Sequence, residues 1–320
     1  MSKGRIRVRA AAALLAAIAV ALSAGVSAFS DDGHRIVGLI AEQHLRGARA
    51  LTEARKILRP GETLSDASAW PDTIKRATYE DADTPAFRLE HPAHDVYHFA
   101  NLPFQAGRYE LSAPGARPDD IVQIARECIR VLRGRSSVFT PREALRLLAH
   151  LVGDLHQPLH VGTGFVAADG LGFIQPQGPT GWRVTLGGNA LVYGPQDRFN
   201  LHSYWDAHAV NLAMRNEAPP AYAQRLIRTI AIEDGWKASG DAESWPEQWA
   251  GEALTVAKTA HDGIKLIEYL GPDASGRTAH RWRIQQPPGY DAVARQIVPK
   301  QLAKGGYRLA AVLEAIWPPR

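Results

Sequence analysis

The stretch His150-Leu-Val-Gly-Asp154-Leu-His156-Gln-Pro158-Leu-His160 restricts this chain more than any other. Its apolar residues belong in a core, yet it carries ionisable groups, and burying those without partners is costly. On a helix, His150 and Asp154 stand at i and i+4 and project from one face. Pro158 is expected to stop that helix and free His160 to turn back. A segment of this form builds a metal site from local sequence.

The other histidines extend the argument. Of twelve, eight lie between His91 and His208. A second His-x-x-x-Asp, His202 to Asp206, lies in Asn200-Leu-His-Ser-Tyr-Trp-Asp206, again one helical turn apart, with Asn200 placed to cap. A single pair of this kind is ordinary on a helix surface. Two of them, with His160 beside the first, imply facing helices that supply His150, Asp154, His160, His202 and Asp206 to one cavity. Imidazole and carboxylate are ligands that zinc accepts in catalytic sites, where one coordination position stays open. His44, His91, His208, His261 and His280 have no partner at ligand spacing and are read as structural or surface groups.

The first 28 residues read as an address. Lys3, Arg5, Arg7 and Arg9 form a basic region, residues 10–22 are apolar, and Val26-Ser27-Ala28 resembles a cleavage site, so the mature chain is expected to begin at Phe29 and to be secreted or periplasmic. Nothing downstream reaches the roughly 20 apolar residues of a membrane span. The formal charge is +4, and removing four cations leaves 4 − 4 = 0. Composition therefore gives no support to a broad basic groove for duplex nucleic acid. Cys128 is the sole cysteine, so no intrachain disulfide forms, and stability rests on a core and on bound metal. No repeat or linker divides residues 29–320, which are expected to form one domain and to act as a monomer.

The pattern is mainly helical. Helices are expected at 33–45, with Asp31 and Asp32 as caps, and at 120–132. Another follows Thr140-Pro-Arg-Glu143, a capping box with proline at the first position, and ends in the His150–His160 stretch. Later helices are expected at 200–213, 220–232, 245–269 (capped through Ser244-x-x-Glu247) and 290–316, the last kinked at Pro299. Between 161 and 199 the chain is glycine-rich and reads as a long loop or small hairpin, with Trp182–Leu186 its one good strand; 280–285 is a weaker strand.

Several ordered blocks resemble the S1/P1 nucleases, zinc-dependent single-strand nucleases. They are Phe29-Ser-Asp-Asp-Gly-His34, Ala69-Trp-Pro-Asp72, Tyr97-His98-Phe-Ala-Asn101, the His150–His160 stretch, and Gly187-Gly-Asn189 followed by Asn200-Leu-His202-Ser-Tyr-Trp-Asp206. The resemblance implies a helical bundle of the zinc phospholipase C and P1 nuclease type, and a cluster of three zinc ions. Asp72, His98 and His150 would hold one, with Asp154 bridging to a second. His34 and the main-chain nitrogen and oxygen of Phe29 would complete that second site, which requires cleavage after Ala28. His160, His202 and Asp206 would hold the third. Asp72 and Asp154 are thus counted with the catalytic groups, as is Lys75, which matches a position that contacts phosphate. Phe99 matches a position that stacks on a base, and Asn101 and Asn189 match positions that hydrogen-bond one. The register selects His98 over His94, and His156 is expected to be structural.

The implied activity is hydrolysis of single-stranded DNA and RNA to 5′-phosphate products, with 3′-nucleotidase activity as a further expectation. Two alternatives remain, a zinc phospholipase C and a zinc-binding protein without catalysis. Against the first stand Asp206, where phospholipases carry Glu, and the Gly-Gly-Asn block. The family's eukaryotic members carry disulfides that this chain cannot make, and its 161–199 segment is longer than in the fungal enzymes.

Overall fold

A computed structural model describes residues 30–168, 170–178, 180–273 and 278–320. The expected leader 1–28 and the expected ligand Phe29 lie outside the described residues. The helices are α1 (Ser30–His44), α2 (Arg49–Ile57), α3 (Leu64–Thr73), α4 (Thr84–Glu90), α5 (Ile121–Leu132), α6 (Pro141–Asp154), α7 (Pro158–Val161), α8 (Leu201–Ser203), α9 (Ala209–Met214), α10 (Pro219–Thr229), α11 (Trp245–His261) and α12 (Tyr290–Ile316).

The core gathers around α6, whose residues from Glu143 to Asp154 are all buried. A helix buried on every side lies inside others, and α3, α5 and α12 pack on it. Leu145, Leu148, Leu151 and Val152 are wholly buried there, each stabilising by about 1.5–3 kcal/mol. The expected capping box starts it, with Thr140 and Glu143 bonding reciprocally. Its one buried cation, Arg146, is neutralised by Glu62 and Asp83 and lies over the Trp70 ring at 4.9 Å. The other side of the molecule rests on α1, which packs between α3 and α12.

Helix boundaries depart from the sequence reading in places where caps compete. α1 starts at Ser30, so Asp31 and Asp32 lie in its first turn, where their charge favours the helix dipole, and do not cap it. α6 ends at Asp154 and not at Pro158, which instead opens α7 with Gln157 as its cap. Ser244 does not cap α11, since its hydroxyl donates to the Asp241 carbonyl. α11 stops at His261, and α12 runs on through Pro299 without ending.

The segment expected as a loop or hairpin carries more structure. Strand β1 (Leu102–Pro103) pairs in parallel with β2 (Gly162–Thr163). Strands β3 (Phe165–Ala167), β4 (Phe173–Ile174) and β5 (Trp182–Val184) form a small sheet in the order β4-β3-β5. Strands β6 (Leu191–Tyr193) and β7 (Phe199–Asn200) join β8 (Lys265–Gly271) and β9 (Arg281–Gln285) in the order β7-β6-β9-β8. Residues 265–269, expected as helix, are thus strand. No helix among the described residues is long and apolar enough to cross a membrane.

Candidate metal centre

The last turn of α6 presents His150 and Asp154 with Nε2 and Oδ2 3.0 Å apart, both side chains fully buried. His150 Nδ1 lies 2.7 Å from the Ser68 carbonyl of α3. A carbonyl can only accept, so the proton belongs on Nδ1 and the Nε2 lone pair faces the cluster. The same helix α3 carries Asp72 in its final turn, with Oδ1 3.7 Å from His150 Nε2. A short 3₁₀ turn, His94–His98, delivers His98, whose Nδ1 lies 2.9 Å from His150 Nε2 and 3.1 Å from Asp154 Oδ2. From α1, the His34 ring stacks on His150 at 3.7 Å between centroids and sets Nε2 3.2 Å from Asp154 Oδ1.

A second gathering lies on the other side of Asp154, whose Oδ1 is 3.4 Å from His160 Nδ1. His160 donates from Nδ1 to the His98 carbonyl at 2.7 Å, and the Ala100 amide donates back to the His160 carbonyl at the same distance. That exchange, continued by the β1–β2 pair, ties the two histidines' segments together. Beyond α8, which Asn200 caps as expected, the helix widens to a π turn over Tyr204–His208, a feature that recurs at functional sites. His202 donates from Nδ1 to the Gly187 carbonyl at 2.9 Å and turns Nε2 to Asp206 Oδ2 at 3.2 Å. His160 Nε2 lies 3.4 Å from Asp206 Oδ1, and that oxygen accepts from the Gln157 amide.

These residues form three groups that could hold a metal ion: His34, His150 and Asp154; Asp72, His98 and His150; His160, His202 and Asp206. The spacing fits one. Ligand atoms about 2.0–2.1 Å from a tetrahedral ion lie about 3.3 Å from one another, and the separations among Asp72, His98 and His150 run from 2.9 to 3.7 Å. Buried atoms Asp206 Oδ2 and His160 Nε2 make no hydrogen bond among the described residues. The donors are imidazole nitrogen and carboxylate oxygen, a set suited to zinc.

Charge in the site is arranged to match. Burial alone would raise the Asp154 carboxyl, but the His150, His160 and His34 rings hold it well below the usual carboxylate range. For Asp206, burial is likewise outweighed by His202 and His160. Burial would lower His160, yet Asp154 and Asp206 raise it to about 9. The carboxylates therefore stay ionised, and a cation entering the site displaces protons from histidine.

A cleft of about 580 Å³ opens over these groups, lined by His98, His160, His202 and Asp206 on the metal side. Lys75 lines it as well, with Nζ 2.7 Å from Asp72 Oδ1. Phe99, half-buried, and Asn101 and Asn189 complete the expected set. Asn189 is fixed by a bond from Nδ2 to the Leu186 carbonyl. Asp95, Leu186, Val192, Asp273, Thr278 and Arg281 also line the cleft. No motif announced Val192 and Arg281, because they arrive on strands whose pairing is long-range. His156 is structural as expected, bonding the Val152 carbonyl and Arg308.

Two glycines make the arrangement feasible. A Cβ on Gly153 would fall 2.8 Å from His34 Nδ1, and one on Gly187, where φ is +58°, would fall 2.6 Å from the Leu159 carbonyl oxygen. Gly153→Ala is expected to push the His34 ring off His150 and so weaken metal binding, costing at least about tenfold in activity, the scale for disturbing a ligand's support. Metal content and circular dichroism check this, and a variant with full activity would remove the stacking from the account.

A family model described as S1/P1 nuclease matches residues 29–318. The chain is similar to nuclease P1 of Penicillium citrinum, 28% identical with 87% of this chain and 94% of the relative covered. Nuclease S1 of Aspergillus oryzae is 25% identical, with coverage of 94% and 96%. Endonuclease 5 of Arabidopsis thaliana is 25% identical, with 92% of each chain covered.

Proposed function

Because the chain belongs to the S1/P1 nuclease family and is a hydrolase acting on nucleic acid, we propose that it is a zinc-dependent endonuclease of single-stranded DNA and RNA. It leaves 5′-phosphate products and also removes phosphate from 3′-nucleotides. The observation that carries this reading is the lining of one cleft, where metal-binding groups, a lysine, an aromatic ring and two amides meet.

In this reading Asp72, His98 and His150 hold one zinc. Asp154 is shared with a second, which His34 and the amino terminus at Phe29 also bind, and His160, His202 and Asp206 hold the third. Bound zinc supplies positive charge to the phosphate and lowers the pKa of water toward neutrality. Lys75, tethered to Asp72, donates from Nζ to a non-bridging phosphate oxygen as charge builds there. Phe99 stacks on a base, and Asn101 and Asn189 bond its edge. Only an unpaired base offers its face for stacking, so selection of single strands needs no broad basic groove. The amino terminus becomes a ligand only after cleavage behind Ala28, which ties activity to export and processing.

The test is a metal count on the processed protein beside assays on denatured DNA, RNA and duplex DNA, with and without chelator. About three zinc ions per chain are expected, with activity on the single strands that chelator abolishes and zinc restores. Phe99→Ala is expected to raise KM on single strands roughly five- to a hundredfold, the range for one lost base stack, at unchanged zinc content. Hydrolysis of phosphatidylcholine without hydrolysis of denatured DNA would replace the nuclease reading with a phospholipase one.

A further inference from the structure

We propose that Arg281 binds a backbone phosphate of the substrate strand other than the one being cut, so that the cleft favours oligonucleotides over dinucleotides. This rests on the single-strand nuclease reading and adds a binding residue to it.

The metal groups and Lys75 come from helices and from the turn ahead of Phe99. Arg281 enters the cleft from a separate wall, at the start of β9. Along β9 the side chains alternate: Trp282 and Ile284 are buried, while Arg281 and Arg283 lie on the other, half-buried face. The parallel pairing of β6 with β9 sets Leu191 against Trp282, and the Trp282 amide donates to the Ala190 carbonyl at 2.9 Å. This pairing fixes Arg281 beside the Asn189–Ala190 turn that carries a proposed base contact.

The two arginines differ in what they are committed to. Arg283 makes a bidentate pair with Asp197, both bonds 2.8 Å, and also bonds Glu268. Its charge is spent within the fold. Arg281 has no carboxylate within ion-pairing distance among the described residues. Among the described residues its one hydrogen bond is a long one, 3.4 Å from Nη2 to the Pro272 carbonyl, and its Nε is buried with no hydrogen bond. Lys75, the other permanent cation among the described residues that line the cleft, is held by Asp72.

The strand end carrying Arg281 is also held in place. His280, just before it, bonds the Tyr269 hydroxyl at 2.7 Å, and the Arg183 guanidinium lies 4.7 Å over the Tyr269 ring. A guanidinium held on a fixed strand, partly desolvated and with no carboxylate at ion-pairing distance among the described residues, suits a bidentate phosphate contact. A dinucleoside monophosphate offers only the phosphate that is cut. Longer strands offer others, and a cation on a separate wall from the metal groups serves those.

The test compares Arg281→Ala and Arg281→Lys with the wild type, all metal-replete, on a dinucleoside monophosphate and on a ten-residue thymidylate. For Arg281→Ala, KM on the longer substrate is expected to rise about five- to twentyfold, as for one charge-assisted hydrogen bond partly exposed to water. The logarithmic salt dependence of binding should fall by about 0.7, the value for one phosphate on a single strand. Hydrolysis of the dinucleotide should stay within about twofold, with Arg281→Lys recovering part of the loss on the longer substrate. Equal losses on both substrates would make Arg281 a support of the fold, and no change on either would remove it from the cleft's function; both outcomes overturn the proposal. A wild type that cuts neither substrate would instead overturn the nuclease reading itself.

Discussion

Asp154→Asn is expected to lose both activity and metal. The carboxylate is fully buried and lies within 3.0–3.4 Å of ring nitrogens from His150, His98, His34 and His160. It thus lies against a histidine of each of the three gathered groups. Asparagine keeps the volume and the packing but removes the negative charge and replaces one ligand oxygen with a nitrogen that cannot accept. Disturbing even an outer partner of a metal ligand costs about 10–100-fold, so loss of a shared ligand should cost more than about a hundredfold. Zinc should fall from about three ions per chain toward about one, because His160, His202 and Asp206 still form a complete group. Elemental analysis and kcat/KM measured on the same folded sample check this. Full activity at full zinc content would sink the shared-ligand assignment.

Chelation is expected to lower the melting temperature by about 8–16 °C. A metal that binds only the folded chain stabilises by about 4 kcal/mol at a thousand times its Kd, and for a domain of this size each kcal/mol moves the melting temperature by roughly 2–4 °C. The effect should be large here because Asp72, Asp154 and Asp206 are buried together, and an uncompensated buried charge is costly. No disulfide shares the burden, since Cys128 is the only cysteine. Scanning calorimetry against zinc concentration gives the measurement. A melting temperature indifferent to verified metal removal would mean that the histidines alone neutralise the cluster.

Much of the helical frame was legible because its signals are local. The Thr140 capping box fixed the start of α6, and Asp120 and Asn200 cap helices where their side chains reach the first free amides. Residues 265–269 fit a helical pattern yet form strand, for a physical reason. Ile264-Lys-Leu-Ile-Glu-Tyr-Leu270 satisfies a helical and an extended pattern alike, and only pairing with β9 decides for strand. Pro158 is ambiguous in another way. Proline ends helices from within, yet it also suits a first turn, and here Gln157 caps the new helix it opens.

The sequence by itself determined the composition of the candidate site: two His-x-x-x-Asp pairs, His160 between them, and the blocks around Asp72, His98 and Gly187-Gly-Asn189. Those are matters of residue type and helical spacing, which a chain carries in its order. What only the tertiary structure decided is how the pieces are aimed. The carbonyls of Ser68, His98 and Gly187 each accept from a histidine Nδ1 and turn its Nε2 inward, and each comes from a segment at least fifteen residues away. Arg281 reaches the cleft through a strand pairing that spans some ninety residues, from Leu191 to Trp282. Backbone groups and distant strands carry no signature in the residues they serve, so their contribution becomes visible only when the chain is folded.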